Sequence, residues 1–487
     1  MAAAIARHLT AIERTTFSRP IQLALKDELI KTGTTVLDYG CGRGGDVGRL
    51  AAQGIDCVGW DPVHRPDGQR RPSDVVNMGY VVNVIEDATE RATALQAAWA
   101  LADSLLIVSG RLEAEARPGE AVVHTDGYVT RLGTFQKLYQ QHELRDWIDS
   151  VLGAGSIPAG PGVFYVFREE SARQGYLAAR HRRIWSVPRI RRCDELYERH
   201  KDILQPLLDF LCARGRLPQP TELAPTQAIV DTFGSVRSAF RVLRSVLDES
   251  QWNETNEHRT QDLLIYLALS RFSHRPRFSD LPPDLQADIR AFFTSYHAAC
   301  ELADAMLFAA GDIHLIAQLC RKSQVGKQTP AALYVHESAL PDLDPVLRLY
   351  EGCARSYIGS VEGANLIKLH RGTPQVSYLS YPNFDKDPHP ALSSSLVVPL
   401  QTFRVELRSY ENSENPPILH RKEEFVGEGY PLREKFARLT EQEKRYGLYL
   451  NPAMIGTRDG WLSVLRSRAV ALHGHRVVRE RIERIPG

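Results

Sequence analysis

Short apolar runs alternate with polar or glycine-rich turns over the first third of the chain, a pattern typical of an α/β fold. The apolar runs predict buried strands at 36–38, 57–61, within 73–87, at 104–109 and at 162–167. Helical spacing predicts helices at 47–53 and 135–152, and residues 1–35 also have a helical pattern. The stretch 62–72 is polar and rich in proline, so no strand is expected there. Residues 1–168 should therefore form one Rossmann-like domain.

The pattern changes after Arg168. Residues 169–328 show amphipathic helical spacing with few strand signals, which predicts a helical domain. Strand signals return at 329–487, where 366–370 and 376–381 flank a turn and predict a hairpin. Residues 403–410 alternate like a further strand, and the end of the chain turns helical and basic. A mixed α+β domain is therefore expected at 329–487.

Composition limits the class of protein more than it limits the function. A length of 487 residues is enough for two to three domains, and a hydrophobic fraction of 43% supplies packed cores. The formal net charge of +1 gives no sign of a nucleic-acid partner for the chain as a whole. The seven cysteines lack CxxC spacing, which favours a reducing compartment. Without a secretory leader or an apolar run of about twenty residues, a cytoplasmic location with no membrane contact is expected.

The first strand runs into a glycine-rich turn that carries the strongest chemical signal. Its glycines, Gly40, Gly42 and Gly44, permit positive φ angles and a close approach of the backbone to a ligand. Free N–H groups of the following helix would point at that ligand. Asp38 precedes the turn and Asp46 begins the helix. The turn therefore predicts a site for a nucleoside cofactor.

The charges beside the turn separate two cofactors. The pattern G-x-G-x-x-G from residue 40 matches a dinucleotide fingerprint, whereas D-x-G-x-G-x-G from residue 38 matches the S-adenosyl-L-methionine (SAM) turn of class I methyltransferases. Asp38 and Asp46 would repel a pyrophosphate but attract the ammonium and sulfonium groups of SAM. Asp61, at the end of the second strand, is placed to bind two ribose hydroxyls. SAM is the preferred prediction, with a dinucleotide or an empty site as alternatives.

The segment 73–87 supplies the candidate catalytic residues. It is similar to the fourth strand and following turn of class I methyltransferases, which lie beside the transferred methyl group. Tyr80 is predicted to stack on a planar acceptor or to hydrogen-bond to it, and Asn77 to accept a hydrogen bond from an amino group. Asn77 is also a candidate cofactor ligand. As the alternative, Tyr80 only forms a wall of the pocket.

Two polar clusters in the C-terminal part have the composition of binding sites. Asp385, Asp387 and His389 follow a predicted strand, and His420–Glu423 form the second cluster. Carboxylates and imidazoles can hold Mg²⁺ or Mn²⁺, and the basic pair inside the second cluster suits phosphate or phosphorothioate. A polar turn braced by prolines is the alternative, and no metal ligand is assigned.

The predicted helical domain opens with a basic stretch, Arg180–Arg192, in which arginines are interleaved with Trp185. Such a mixture suits phosphate contacts with base stacking, although a solvated helix face has the same composition. Residues 207–240 are similar in rhythm to helical repeats that accompany homing endonucleases and bind DNA. Helix starts are expected at Pro218 to Thr221 and at Gly234-Ser235. A plain helical hairpin is the alternative.

Several separated motifs together resemble one family. They are Thr10–Ile12, LDYGCGRGGDV at 37–47, GWDP at 59–62, VVNMGYVVNVIED at 75–87, SYLSYPNFDKDPHPAL at 377–392 and NPPILHRKE at 415–423. They resemble the methyltransferases associated with DNA phosphorothioation, whose genes lie beside those that put sulfur into DNA backbones. The resemblance spans the whole chain and implies a class I SAM-dependent methyltransferase fold in a DNA-linked setting.

The leading hypothesis is a SAM-dependent methyltransferase that acts on DNA, with phosphorothioated DNA as a candidate substrate. The resemblance also implies association with DNA-modification or defence proteins. Two alternatives stay open: methyl transfer to a small molecule or RNA, and a non-catalytic SAM-binding module that recognises modified DNA. The expected fold class is α/β, with a Rossmann-like methyltransferase domain at 1–168, a helical domain at 169–328 and a mixed α+β domain at 329–487.

Overall fold

The computed structural model describes residues 5–115, 121–182, 195–219, 222–223, 226–246 and 249–479. Contacts between Cα atoms divide the chain into two compact units, residues 1–168 with 312–487, and residues 169–311. Within the described residues, the first unit contains two six-stranded sheets and the second is helical. The helix at 313–322, which the sequence pattern groups with the helical domain, therefore belongs to the first unit.

Residues 19–167 form the first six-stranded sheet with its helices, and a separate three-stranded sheet. The described elements are β1 Thr35–Tyr39, β2 Asp56–Trp60, β3 Ser73–Gly79, β4 Ala102–Ser109, β5 Ala121–His124, β6 Gly127–Thr130, β7 Phe135–Gln136, β8 Ile157–Gly160, β9 Val163–Phe167, α1 Arg19–Lys26, α2 Gly45–Ala52, α3 Ala88–Ala100 and α4 Gln141–Leu152. The main sheet has the order β2-β1-β3-β4-β9-β8, in which β1 to β4 are parallel and β9 is antiparallel to β4. The mixed α/β fold with a parallel sheet, predicted for 1–168, is confirmed.

Burial on both faces explains the apolar composition of the central strands. Val36 and Leu37 in β1 and Val76 in β3 are fully buried, as expected for parallel strands covered by helices. Leu95 of α3 and Leu144 of α4 belong to the same core. Because β1 pairs with β2 on one side and with β3 on the other, the strand order reverses there. The crevice outside the carboxyl ends of strands at such a point is where open α/β sheets bind ligands.

The local elements differ from the predictions at several places, and β5, β6 and β8 are strands that the sequence did not predict. α4 begins at Gln141 rather than near Phe135, because Phe135 and Gln136 pair with β6 as β7. Within the described residues 5–35, the α-helical pattern is realised only at Arg19–Lys26, apart from a 3₁₀ turn at Arg7–Leu9. Between β2 and β3, all residues are described and none forms a strand, as the proline-rich composition predicted.

The helical unit, residues 169–311, has no strand among its described residues. Its helices are α5 Glu170–Ala179, α6 Glu195–Arg199, α7 Lys201–Arg214, α8 Thr226–Phe233, α9 Val236–Val246, α10 Glu249–Leu269, α11 Pro283–Phe292 and α12 Tyr296–Ala310. A core that includes Leu204, Leu208, Ile229 and Leu243 joins α6 to α9. Arg216 forms buried salt bridges with Glu222 and Asp288 and so connects the segment after α7 to α11.

Residues 312–479 complete the first unit. Their elements are α13 Ile313–Lys322, β10 Lys327–Gln328, β11 Ala332–His336, α14 Pro345–Ile358, β12 Leu366–His370, β13 Gln375–Ser380, β14 Ser394–Pro399, β15 Glu406–Ser409, α15 Arg433–Arg445, α16 Arg458–Ser467, β16 Val470–Leu472 and β17 Val477–Arg479. β10 to β15 form an antiparallel sheet in chain order, with the predicted hairpin as β12 and β13. α13 and α14 pack on the face that carries Ile367, and α15 packs on the face that carries Leu366. No single described helix is long and apolar enough to span a membrane, although α12 and α13 pass that test as a bent pair.

The segment after α14 lies against β8, the edge strand of the first sheet. The Ser360 N–H donates to the Ala159 carbonyl oxygen at 2.7 Å. Gly359 has a φ of 77°, and a Cβ at this position would lie 2.4 Å from the Ala159 carbonyl carbon. The Gln141 side chain donates to the Tyr357 carbonyl oxygen at 3.2 Å. Residues 357–360 therefore cover an edge that would otherwise present unpaired backbone groups.

Candidate functional site

The glycine-rich turn after β1 forms one wall of a cavity of about 580 Å³. Gly40, Gly42 and Gly44 have positive φ angles of 85°, 52° and 80°. A Cβ at Gly40 would lie 2.3 Å from Val81 Cγ2, so no side chain fits there. Gly40 and Gly42 line the cavity, whereas Gly44 packs on the guanidinium of Arg65. The volume lies within the roughly 300–1,000 Å³ typical of small-ligand sites.

A segment before α1 forms a second wall, which we call the N-terminal wall. Its lining residues are Arg7, Thr10, Ala11, Ile12 and Arg14. Arg7 holds the wall in place through salt bridges of 2.9 Å to Glu86 and 2.6 Å to Glu90. In the sequence, this segment carries the motif Thr10–Ile12, and Arg14, Ser18 and Arg19 are candidates for a lid over the cofactor or for a solvated helix face. The salt bridges that place the wall join residues distant along the chain.

Asp61 lies just after β2 and lines the cavity. Its Oδ1 accepts hydrogen bonds from the N–H groups of Val63 at 2.9 Å and His64 at 2.8 Å, and its Oδ2 accepts one from Gly42 at 3.1 Å. The carboxylate thus fixes the glycine turn relative to β2. Oδ1 already accepts two hydrogen bonds and Oδ2 only one, so Oδ2 has a lone pair left to accept a hydrogen bond from a ligand hydroxyl.

Asp38 and Asn77 form a buried pair in β1 and β3, behind the cavity wall. Asn77 Nδ2 donates to Asp38 Oδ1 at 2.8 Å. Burial raises the pKa of Asp38 to about 7, with further contributions from the carboxylates of Asp46 and Asp61 and opposition from the Asn77 hydrogen bond. Asn77 Oδ1 is buried without a hydrogen-bond partner among the described residues. Asn77 is therefore placed to orient Asp38, and its contact with an acceptor or cofactor stays a prediction.

Asp46, in the first turn of α2, is engaged by protein groups. Its carboxylate accepts a hydrogen bond from the Ser18 N–H at 3.1 Å and forms a salt bridge with Arg49 at 3.1 Å. These contacts tie the end of the N-terminal segment to α2. Asp46 does not belong to the residues that line the cavity, so its electrostatic effect on a ligand would be exerted from behind the wall.

Tyr80 has a left-handed backbone conformation, with a φ of 62° that is uncommon for an aromatic residue. Its N–H is shared between the carbonyl and hydroxyl oxygens of Ser109, both at 3.0 Å, which stabilises this conformation. The side chain lines the cavity, and the Arg14 guanidinium carbon lies 5.5 Å from the ring centroid. Burial raises the pKa of the phenol, so its hydroxyl is a hydrogen-bond donor at neutral pH. Strained backbone of this kind is common at ligand sites.

Charged groups also line the cavity near Tyr80. Arg111 and Glu115 belong to its lining, and Glu115 forms a salt bridge of 3.4 Å with Arg19. Burial raises the pKa of Tyr80, the Glu115 carboxylate raises it further, and the Arg19 guanidinium opposes the rise. An acceptor entering beside Tyr80 would therefore meet both a carboxylate and a guanidinium.

The C-terminal clusters are partly buried: His389, His420 and Lys422 are buried, whereas Asp385 and Asp387 are exposed. His389 Nε2 lies 2.6 Å from Glu443 Oε1, and Glu443 also accepts a hydrogen bond from the Tyr449 hydroxyl. Asp387 accepts a hydrogen bond from the His389 N–H at 3.0 Å and so closes a turn. Asp385 accepts one from a tyrosine hydroxyl at 2.6 Å. We call the buried group His389, His420, Lys422 and Glu443 the C-terminal polar core.

Lys422 and His420 are engaged by backbone carbonyls within this core. Lys422 Nζ donates to the carbonyl oxygens of Phe384 and Asp387, both at 2.6 Å, and burial lowers the pKa of Lys422 to about 7. His420 Nε2 lies 2.6 Å from the Ile455 carbonyl oxygen, and burial lowers the pKa of His420 to about 3. In the part of the chain that the structure describes, no group of three or more His, Cys, Asp or Glu side chains is arranged to hold a metal ion. Phosphate contact at these clusters stays a prediction.

Some predicted nucleic-acid contacts lie outside the described residues. These are 183–192 of the basic stretch and the helix start at Thr221. The arginines at 481 and 484, noted only as part of the basic C-terminal end, are also outside the described residues. The helix start at Gly234-Ser235 is described and leads into α9 at Val236.

Solved structures that resemble this chain include three bacterial methyltransferases. The 1,6-didemethyltoxoflavin-N1-methyltransferase of Burkholderia thailandensis, with S-adenosylhomocysteine, is 15% identical over 30% of this chain and 75% of its own, with a TM-score of 0.24. Magnesium protoporphyrin IX methyltransferase from Synechocystis PCC 6803, with SAM, is 17% identical over 31% and 76%, with a TM-score of 0.22. A SAM-bound amino pentose methyltransferase from Micromonospora echinaspora is 15% identical over 32% and 100%, with a TM-score of 0.24.

At these TM-scores the likeness assigns neither an activity nor a substrate to this chain. No protein-family model matches the chain, and no curated protein sequence matches it. A cytoplasmic location and the division into three domains stay predictions.

Proposed function

We propose that this chain is a SAM-dependent methyltransferase with DNA as its acceptor. The observation that carries the proposal is the cavity at the carboxyl ends of β1 to β3, where the positive-φ glycine turn meets Asp61. The turn allows a ligand to approach the backbone, and Asp61 is placed to accept hydrogen bonds from ribose hydroxyls. The same position in an open α/β sheet is the general site for nucleoside ligands.

The charges around the turn favour a cationic nucleoside over a dinucleotide. Asp38, Asp46 and Asp61 are close enough together for the latter two to raise the pKa of Asp38. A pyrophosphate would add negative charge to this group, whereas the sulfonium and ammonium of SAM would offset it. The residues present therefore fit SAM better than NAD or a related dinucleotide.

When bound, SAM supplies a methyl group activated by the sulfonium sulfur. This chain's own residues then have to position an acceptor and exclude water. The Tyr80 ring offers a surface on which a planar base can stack, and its protonated hydroxyl can donate a hydrogen bond. Gly79, which also lines the cavity, leaves space beside it. Glu115 is placed to accept a hydrogen bond from an amino group of the acceptor.

DNA is proposed as the acceptor because of the motifs at 377–392 and 415–423, which resemble those of the methyltransferases associated with DNA phosphorothioation. Replacement of a phosphate oxygen by sulfur keeps the negative charge of the backbone, so a phosphorothioated duplex presents the same electrostatic target. The net charge of +1 does not oppose this proposal, since local basic surfaces determine where DNA binds.

Transfer of a radiolabelled methyl group from SAM tests the proposal. The full-length protein is incubated with duplex DNA that contains or lacks phosphorothioates, with RNA, and with a mixture of small metabolites. Label in DNA supports the proposal, and transfer only to RNA or to a metabolite would refute DNA as the acceptor. Tight SAM binding without turnover would instead favour a non-catalytic reader of modified DNA. Asp61→Ala provides the background control, because it removes the proposed ribose ligand.

A further inference from the structure

The helices α8 and α9 are joined by a turn of only two residues. α8 ends at Phe233 and α9 begins at Val236, so Gly234 and Ser235 make the connection. Gly234 has a φ of 77°, a conformation that glycine adopts readily. A helix-turn-helix likewise joins two helices by a short turn that often contains glycine, and its second helix enters the major groove of DNA.

α9 has one apolar face and one basic face. Ala239 and Leu243 are buried in the core that α9 shares with α6, α7 and α8. Arg237, Arg241 and Arg244 follow the i, i+4, i+7 spacing, share the opposite face and are exposed. The helix contains no acidic residue. Seven residues span about 10 Å of helix, which is close to the roughly 12 Å width of the major groove.

Arg237 and Arg241 of α9 differ from other arginines of the helical unit. Arg214, Arg216 and Arg275 each form salt bridges with carboxylates. Arg237 and Arg241, in contrast, form no salt bridge with any described residue. Exposed guanidinium groups without an acidic partner are available to neutralise phosphates, and the release of counterions then favours binding.

We infer that α8 and α9 form a helix-turn-helix that binds duplex DNA through the basic face of α9. The inference rests on the proposed function for its choice of nucleic acid, but DNA binding is measurable without SAM or methyl transfer. The surface would hold the DNA by its backbone and by base edges in the major groove, with arginine to guanine as the commonest specific contact.

Two other ligands fit the structure less well. A basic amphipathic helix can bind a membrane surface, but that mode requires the apolar face to enter the lipid. In α9 this apolar face is buried in the core, where Leu243 is only 1% exposed. Duplex RNA has a deep, narrow major groove that protein side chains cannot read. The exposed face of α9 therefore fits duplex DNA.

Fluorescence anisotropy of a labelled duplex of about 20 bp, roughly two helical turns, tests the inference on the full-length protein without SAM. The substitutions Arg237→Gln, Arg241→Gln and Arg244→Gln together should weaken binding at least about tenfold. They should also reduce the slope of log K against log salt by about 0.9 for each phosphate that the variant no longer neutralises. All three positions are exposed, so circular dichroism and thermal unfolding should show an intact fold. Arg241→Gln alone should give an intermediate loss of affinity.

The matched control removes the same charge from another helix. Arg433, Arg438 and Arg445 are exposed on α15, and their joint replacement by Gln should leave DNA binding nearly unchanged. The inference is refuted if both triple variants lose equal affinity, if the α9 variant binds normally, or if the unmodified protein fails to bind duplex DNA. Equal affinity for a duplex RNA of the same length would also refute it. If DNA binds through α9 but no label is transferred from SAM to any acceptor, the proposed function fails and this inference stands.

Discussion

The glycine-turn cavity and the C-terminal polar core contain similar side chains but arrange them in opposite ways. Asp61 and Tyr80 border open space and retain hydrogen-bonding capacity toward it. In the polar core, the same kinds of group are used up by protein partners. Glu443 accepts a hydrogen bond from a tyrosine hydroxyl, His389 contacts the Glu443 carboxylate and a backbone carbonyl, and Lys422 donates to a backbone carbonyl. Both regions stand out in the sequence as groups of ionisable residues. A binding site is therefore identified by open space beside such groups and not by their composition.

The largest expected effect concerns the polar core, which should carry stability and not cofactor binding. Glu443→Ala would leave His389 and the Tyr449 hydroxyl buried without their partner. We expect the free energy of unfolding to fall by about 3–5 kcal/mol, measured by urea denaturation. Glu443→Gln, which keeps the shape, should lose less. A normal stability with weakened SAM binding would instead make this region part of the functional site.

Gly40→Ala should have the next largest effect, on the cavity itself. Its Cβ would lie 2.3 Å from Val81 Cγ2, and its φ of 85° disfavours any side chain. We expect SAM binding to weaken by at least about 2 kcal/mol, measured by isothermal titration calorimetry. Gly48→Ala in α2 is the matched control, because a Cβ there meets no atom within 4 Å. Equal SAM affinities of the two variants would contradict the assignment of the turn.

Asp61→Ala should weaken SAM binding by roughly 1.5–3 kcal/mol, the cost of losing hydrogen bonds to a charged group. Asp61→Asn keeps an oxygen that can accept from the Val63 and His64 N–H groups, so it should preserve the turn better. Its SAM affinity should lie between those of the alanine variant and the unmodified protein. Unchanged affinity of the alanine variant, measured by calorimetry on folded protein, would mean that the ribose contact is misassigned.

The stability of the protein and the SAM affinity of the glycine-turn cavity should both depend on pH. Burial raises the pKa of Asp38 to about 7, so without ligand the folded protein should lose stability as pH rises from about 4 to 7. A bound cation favours the ionised carboxylate, so SAM affinity should fall by up to about tenfold per pH unit below 7. Calorimetry in buffers of different ionisation enthalpy should detect proton release in this range. Asp38→Asn should abolish that release, and its persistence would point to another group.

The smallest effect is expected at the N-terminal wall. Arg7→Ala removes two partly exposed salt bridges, to Glu86 and Glu90, and such pairs contribute about 0.2–1 kcal/mol. We expect SAM to dissociate a few fold faster, as measured by stopped-flow fluorescence, because the wall detaches more readily. Arg408→Ala removes an exposed pair with Glu406 away from the cavity and should leave the rate unchanged. Equal rates in both variants would show that the wall does not retain the cofactor.

The sequence predicted those parts of the site that depend on residues close together along the chain. Buried strands are apolar, and Gly40 occupies a conformation that excludes other residues, so both are visible in the pattern. A lid over the cofactor was one of two hypotheses for the N-terminal segment, but its anchor was not predicted, because Arg7 contacts Glu86, which lies 79 positions further along the chain. The orientation of Asn77 toward Asp38 likewise depends on the pairing of two strands. Contacts of this kind are determined by tertiary packing and leave no periodic trace.

Coverage of β8 by residues 357–360 has a consequence for how the protein can be dissected. The Ser360 N–H satisfies the Ala159 carbonyl oxygen along that strand. A shorter polypeptide that ends at residue 168 would leave this backbone open to pairing with a second molecule, so we expect it to self-associate and precipitate. The cavity-bearing half is therefore best produced, assayed and crystallised with residues 312–479 still attached.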